Sequence, residues 1–248
     1  MISQVTLTGM VLVAAPVGDY DKRLVILTRE RGKITAFAKG ARRPNSQYVA
    51  GSRPFSFGEF TVYQGREAYT LTGMNISNYF DELTADLEKV YYGMYFLELG
   101  EYFSRENVEA KDMLNLLYAS FQTIIKGKVP LNLIKVIYEL KIFYINGEYP
   151  QFFECTHCGK KENLMYFSMK KRGALCVECM SAATDSIRLD TSTFYTLQYI
   201  ISQPINKLFN FNVSEQVLKE LNMVMDRWKA ENLDKTFNSL ETIKMAIF

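Results

Sequence analysis

At 248 residues, 48% of them hydrophobic and 14% aromatic, the chain has enough apolar material for one large or two modest globular cores. No apolar run approaches the roughly eighteen residues that cross a bilayer, and Met1-Ile2-Ser3-Gln4 lacks a basic segment followed by an apolar one, so a soluble, unexported protein with no membrane partner is expected. The net charge of +2 hides an uneven distribution, and the single histidine argues against a histidine-based triad or a histidine-rich metal site.

Residues 1–80 carry ten Lys/Arg against five Asp/Glu, residues 81–150 seven against eleven, residues 151–180 five against three, and residues 181–248 seven against eight. Basic charge is therefore concentrated at the N-terminal end, as in a protein that turns one part towards a polyanion.

That basic end reads as strands. Val5, Leu7, Gly9, Val11 and Val13 alternate, Leu24 to Leu27 is a short apolar run, and Lys33 to Ala38 follows the turn at Arg31-Gly32. Phe57 to Tyr63 and Ala68 to Met74 complete five short strands, which suit a small closed barrel of the OB type, a scaffold that commonly holds single-stranded nucleic acid. The third strand runs into Lys39-Gly-Ala-Arg-Arg-Pro44, just after Arg29, Arg31 and Lys33. Lys and Arg on a strand and on the loop leaving it can track successive phosphates, and Gly40 lets the backbone approach closely. Arg29, Arg31, Lys33, Lys39, Arg42 and Arg43 are the candidate nucleic-acid contacts. Tyr48, Phe55, Phe57, Tyr63 and Tyr69 offer aromatic faces, some for stacking on bases and most for filling the barrel.

From Asp81 the apolar period becomes helical, with Leu83, Leu87, Val90, Tyr91, Met94, Leu97 and Leu99 as the predicted buried stripe. Further helices are predicted from Asp112 to about Lys126 and from Leu131 to Asn146, where Gly147 and Pro150 stop the chain. Two more follow residue 183: one capped by Thr191 or Ser192 and reaching about Gln203, the other opened by Ser214 and running through Trp228.

Between these helical blocks lie all four cysteines, as Cys155-Thr-His-Cys158 and Cys176-Val-Glu-Cys179. Two C-x2-C knuckles can bring four thiolates around one ion, the tetrahedral pattern of zinc. Four thiolates also close the coordination shell and leave no position for an activated water, so the zinc is expected to be a structural staple. His157 fills no ligand position in this spacing and is expected to face solvent. Lys160, Lys161, Lys170, Lys171 and Arg172 make the insertion mildly basic, for a second DNA or partner contact or simply for a solvated loop.

The run Thr28-Arg-Glu-Arg-Gly-Lys33, then Ala38-Lys-Gly-Ala-Arg-Arg-Pro44, then Arg53-Pro-Phe55 and a four-cysteine element after a helical stretch resembles the RecO family of DNA repair and recombination mediators. The resemblance runs from the first strand to Ser239-Leu240. It implies an α+β protein: an OB domain over 1–80, a helical domain over 81–150 and 184–248, and a four-cysteine zinc finger inserted over 151–183. It also implies binding of single- and double-stranded DNA, strand annealing, work with RecR and single-stranded-DNA-binding protein, indirect help to RecA loading, and a cytoplasmic, nucleoid-associated location. No Walker-type or strand-linked G-x-G-x-x-G motif occurs, so the expected protein is an adaptor and not an enzyme.

Two other readings share some of these features. An RNA-binding OB protein with a zinc ribbon would use the same barrel and basic loop. A zinc deaminase or hydrolase would need an H-x-E and P-C-x-x-C pattern; here His157 is followed by Cys158 and Gly159, and Leu175 precedes Cys176.

Overall fold

A computed structural model describes residues 4–66 and 68–246. In chain order come β1 (Gln4–Val17), β2 (Asp21–Thr28), β3 (Gly32–Ala38), β4 (Phe57–Gln64) and β5 (Tyr69–Asn78), then α1 (Asp81–Thr84), α2 (Leu87–Phe103), α3 (Lys111–Lys126) and α4 (Leu131–Ile145). After α4 follow β6 (Leu164–Ser168), β7 (Gly173–Cys176), β8 (Ile187–Arg188), α5 (Thr191–Ser202), α6 (Glu215–Asn232) and α7 (Asn238–Ala246).

The first five strands form the expected closed barrel, in the order β1-β2-β3-β5-β4. β1 is long because it serves two partners: Gln4 to Met10 pair with β4, and Gly9 to Val17 pair with β2. The register shifts between Val11 and Val13, and an irregularity of this kind bends a strand enough for it to change neighbours. The segment before β4 satisfies the backbone at the bend: Val11 N–H donates to Ser56 O (3.0 Å) and Phe55 N–H donates to Val11 O (3.1 Å). Inward positions alternate as the strand period requires, with Leu24, Ile26, Ile34, Ala36, Phe60 and Val62 buried in one core.

The chain divides into two compact units, one made of the barrel, the helices up to Ile125 and the segment from Phe237, the other of Lys126–Thr236. In the first unit, ring contacts of Phe55 and Phe80 with Phe121 (5.3 Å each) and of Phe57 and Phe80 with Tyr118 (4.7 and 5.2 Å) fasten the barrel to α3. Phe55 and Phe80 have positive φ (73° and 53°), a costly conformation for an aromatic residue that burial of their rings holds in place. Gly32 (φ +63°) lies where a Cβ would stand 2.1 Å from Arg105 O, so the β2–β3 hairpin packs directly on the chain leaving α2.

The helix expected from Asp81 is two. Ala85 and Asp86 interrupt it, and the Asp86 carboxylate caps α2 by accepting from the Lys89 amide (3.1 Å). Leu83, Leu97 and Leu99 of the predicted stripe are buried, joined by Tyr92, Tyr95 and Phe96, whereas Leu87 is 70% exposed because it opens the new helix. α7 returns to α2 through Phe237, whose ring meets Tyr95 (5.8 Å) and Tyr102 (5.9 Å).

In the second unit α4 is buried on nearly all sides and packs with α5 and α6. The cap of α5 is Asp190, whose carboxylate accepts from the Ser192 amide (2.7 Å), and not Thr191 or Ser192: a carboxylate one residue earlier reaches the free amides first. Ser214 caps α6 as expected. Lys141 Nζ donates to the carbonyls of Ile200, Ile201 and Gln203 (3.1, 2.7 and 2.8 Å), satisfying groups at the C-terminal end of α5.

Lys229 of α6 meets Glu139 of α4 (2.5 Å) with both side chains buried, and also Asp226 (3.1 Å). Burial works against the ammonium, but the charges of Glu139 and Asp226 outweigh it and raise the Lys229 pKa. Lys229→Ala should therefore destabilise the protein by about 3–5 kcal/mol in urea melts, because it strands a buried carboxylate. The double change Glu139→Leu with Lys229→Met should recover most of that loss.

Candidate nucleic-acid interface and metal centre

The six basic side chains singled out in the sequence fall at two ends of β2 and β3. These strands pair from Thr28 opposite Gly32 to Lys22 opposite Ala38, so Arg29, Arg31 and Lys33 stand at one end and Lys39, Arg42 and Arg43 beyond the other. Eight strand residues separate the ends by about 25 Å.

At the first end two of the three cations are engaged by the protein itself. Arg31 donates to Gln64 Oε1 (2.8 Å) and the Tyr69 hydroxyl (2.9 Å), and its guanidinium lies 5.8 Å from the Tyr69 ring centre. Lys33 Nζ donates to Glu101 O (2.9 Å) near the end of α2. Arg29 is exposed, with its amide bonded to Thr8 O (2.8 Å).

At the other end the basic segment is fastened to the β1–β2 turn. Asp21 Oδ1 accepts from the Gly40 amide (2.7 Å), Tyr20 O accepts from the Arg42 amide (2.8 Å), and the Arg42 guanidinium donates to Gly18 O (3.1 Å). Gly40 needs its freedom here, having φ +67°. Lys22 Nζ donates to Ser52 O (2.8 Å) and Ser52 Oγ (3.0 Å), tying down the far side of the same connection; burial first, then the nearby Arg42 charge, lower its pKa. Lys39, Arg42 and Arg43 are exposed, and among the described residues none of them forms an ion pair.

Of the five aromatics noted in the sequence, Phe55 and Phe57 belong to the contact with α3, Tyr48 and Tyr69 pack against the barrel core, and Tyr63 is partly exposed. The aromatic that stands beside the basic segment is Tyr20, 53% exposed, with the Arg43 guanidinium 5.1 Å from its ring centre. Only the length of β2 could have pointed to it: the turn between β1 and β2 is three residues, and Tyr20 is its last.

In the second unit β6, β7 and β8 make a small antiparallel sheet, and the two cysteine knuckles flank it. The first knuckle is closed by Cys155 N–H to Lys160 O (2.7 Å) and Gly159 N–H to Cys155 O (2.8 Å), and Thr156 N–H to Ala174 O (2.9 Å) stitches it to β7. Cys176 ends β7 and Cys179 lies in the following 3-10 turn. The four Sγ atoms lie within 4.8 Å of one another, and Cys158 and Cys176 are 3.7 Å apart. Tetrahedral zinc–sulfur bonds require a separation of about 3.8 Å, so the four thiols fit a metal ion of that kind. His157 is exposed and outside this group.

Burial works against the Cys155 thiolate, but the backbone amides of Cys176, Cys158 and His157 outweigh it and hold its pKa at about 6. Cys179 is pushed up to about 12, by desolvation first and then by its bonds to the other three sulfurs. Four thiols this close cannot all ionise unaided, and a divalent cation at their centre removes the obstacle.

The remaining cations of the insertion are largely engaged. Lys160 pairs with Glu178 (2.5 Å) across the knuckles, Lys170 Nζ donates to Thr184 Oγ1 (2.8 Å), and Arg172 lies 4.6 Å from the Trp228 ring centre and donates to Asn232 (2.9 Å). Arg172 thus links the hairpin between β6 and β7 to α6.

Cys155→Ser with Cys176→Ser should abolish metal retention, measured by a colorimetric chelator, and lower the urea midpoint of the unit that holds the knuckles. Metal affinity should fall with pH, most steeply below about 6: protons compete for the sulfurs, and a depressed thiol pKa supplies stability that is lost as pH drops through it.

Among the described residues no helix is long and apolar enough to cross a membrane. Residues 1–80 match the family described as Recombination protein O N terminal, and residues 84–241 the family described as Recombination protein O C terminal. The chain is 32% identical over 239 residues to a DNA repair protein RecO of Acetivibrio thermocellus, covering 96% of this chain and 95% of that one. It is also 32% identical over 238 residues to its namesake in Alkaliphilus metalliredigens (95% and 97% covered), and 28% identical over 227 residues to that of a Thermoanaerobacter species (92% of both). With the barrel, helices α2 to α6 and the four-cysteine cluster inside the matched segments, the chain belongs to the RecO family of DNA repair and recombination proteins.

Proposed function

We propose that the protein is a recombination mediator that binds single- and double-stranded DNA, anneals complementary strands and helps RecA load onto strands coated by single-stranded-DNA-binding protein, acting with RecR and without catalytic turnover. The observation that carries this reading is the basic segment Lys39–Arg43, held against the β1–β2 turn with three exposed cations that form no ion pair among the described residues. Annealing requires two polyanions to be brought together with their repulsion reduced. Fixed, unpaired cations do this without nucleotide hydrolysis.

Within this reading Lys39, Arg42 and Arg43 meet phosphates directly, and Arg29 extends the path at the far end of the hairpin. Arg31 and Lys33 have a second task, since their head groups also bond to Gln64, Tyr69 and the Glu101 carbonyl. The metal is zinc, a structural staple held by Cys155, Cys158, Cys176 and Cys179, with a closed shell that takes no part in chemistry. The protein works in the cytoplasm, at the nucleoid.

Two measurements test the reading. The wild-type protein should accelerate annealing of complementary strands coated by single-stranded-DNA-binding protein, with no nucleotide present and less so at higher salt. Changing Lys39, Arg42 and Arg43 together to Ala should weaken single-strand binding tenfold or more and reduce the slope of log affinity against log salt by about 2. Unchanged affinity and slope in a folded variant would move the interface elsewhere.

A further inference from the structure

We propose that Tyr20 is a stacking platform for an unpaired nucleobase, set beside the phosphate-binding cations so that the β1–β2 turn and the Lys39–Arg43 segment together form one single-strand site. The proposal rests on the DNA-binding reading above and deepens it by naming what the turn adds.

Tyr20 is 53% exposed even with the Arg43 guanidinium 5.1 Å from its ring centre, so much of the phenol remains open to a second flat group. The ring is not among the side chains that fill or pack against the barrel core. Its position is fixed by the chain: its carbonyl accepts from the Arg42 amide (2.8 Å), and the next residue, Asp21, accepts from the Gly40 amide (2.7 Å). The backbone that carries the ring therefore keeps a fixed place relative to the Gly40–Arg42 backbone, and a platform whose backbone does not have to be ordered on binding loses less entropy.

The charges around the ring divide the work. Asp19 is exposed in the same turn, and its carboxylate repels a phosphate placed over the tip. A base carries no such penalty. The phosphates are drawn to Arg42 and Arg43, and the base falls on the phenol, with Arg43 contributing both to the ring and to the backbone. A paired base keeps its faces inside the stack, so this contact selects single strands, while the cations alone serve single and double strands alike.

The test compares variants of the full chain on a single-stranded oligomer and on the matching duplex at fixed salt, by fluorescence anisotropy. Tyr20→Ala should weaken single-strand binding about tenfold, leave duplex binding within about twofold, and leave the single-strand salt slope unchanged, because no phosphate contact is lost. Tyr20→Phe should bind as wild type. Tyr20→Trp supplies an exposed indole in a chain whose own Trp228 is fully buried, and its fluorescence should be quenched by the oligomer but not by an abasic strand of equal length. Equal losses on both substrates with a flatter salt slope would show that Tyr20 only orders the basic segment, and would overturn the proposal. So would an indole that the oligomer does not quench. The Lys39, Arg42 and Arg43 triple variant separates the two layers of the reading. If it is weakened while Tyr20→Ala is not, stacking alone falls; if it binds as wild type, the interface itself is misplaced and the proposal falls with it.

Discussion

The first unit depends on the bend in β1. A barrel closes only when every strand has a neighbour on each edge; β1 meets β4 with its first part and β2 with its second, and the register shift between Val11 and Val13 lies where it turns from one to the other. The amide and carbonyl of Val11 that the bend frees from the ladder are met by Phe55 and Ser56. That requirement fixes the end of the long connection after β3. Its beginning is fixed by Asp21 and Tyr20, and its later part by Lys22 on Ser52. A segment of eighteen residues without strand or helix pairing is thereby held in one course over the surface, with its cations outward.

The same economy appears at the other end of β2. Arg31 and Lys33 hold the strand ends of the barrel and the end of α2 with hydrogen bonds that only long cationic side chains could reach. Charge counted along a sequence says nothing about whether a cation is already engaged. Here Arg31 and Lys33 are half-buried and bonded to the barrel and α2, while Lys39, Arg42 and Arg43 are exposed and lie where an exposed aromatic ring also stands.

In the second unit the four thiols are brought together by the chain itself. Amide donors stabilise the Cys155 sulfur, strand pairing sets Cys176, and Thr156 joins the first knuckle to β7. Arg172 on Trp228 then ties the insertion to α6, which also carries the buried Lys229–Glu139 pair. An ion held by the four thiols would therefore be coupled to the helices of the same unit as well as to the knuckles.

Much of this was legible in the residues alone. Alternation in the first strands, helical spacing from Asp81 onward and the twice-repeated C-x2-C determined the barrel, the helices and the cysteine cluster, because each is a local pattern with one period or one ligand geometry behind it. The break at Asp86 and the cap at Asp190 differ from what spacing predicts, since several capping residues compete at each helix start. Only the tertiary structure decided that Phe237 returns to α2, that Phe55 and Phe57 are spent on α3, and that Tyr20 joins Arg42 and Arg43 while Arg31 and Lys33 are drawn elsewhere. Those outcomes depend on which distant segments meet when the barrel closes, and sequence spacing carries no record of that.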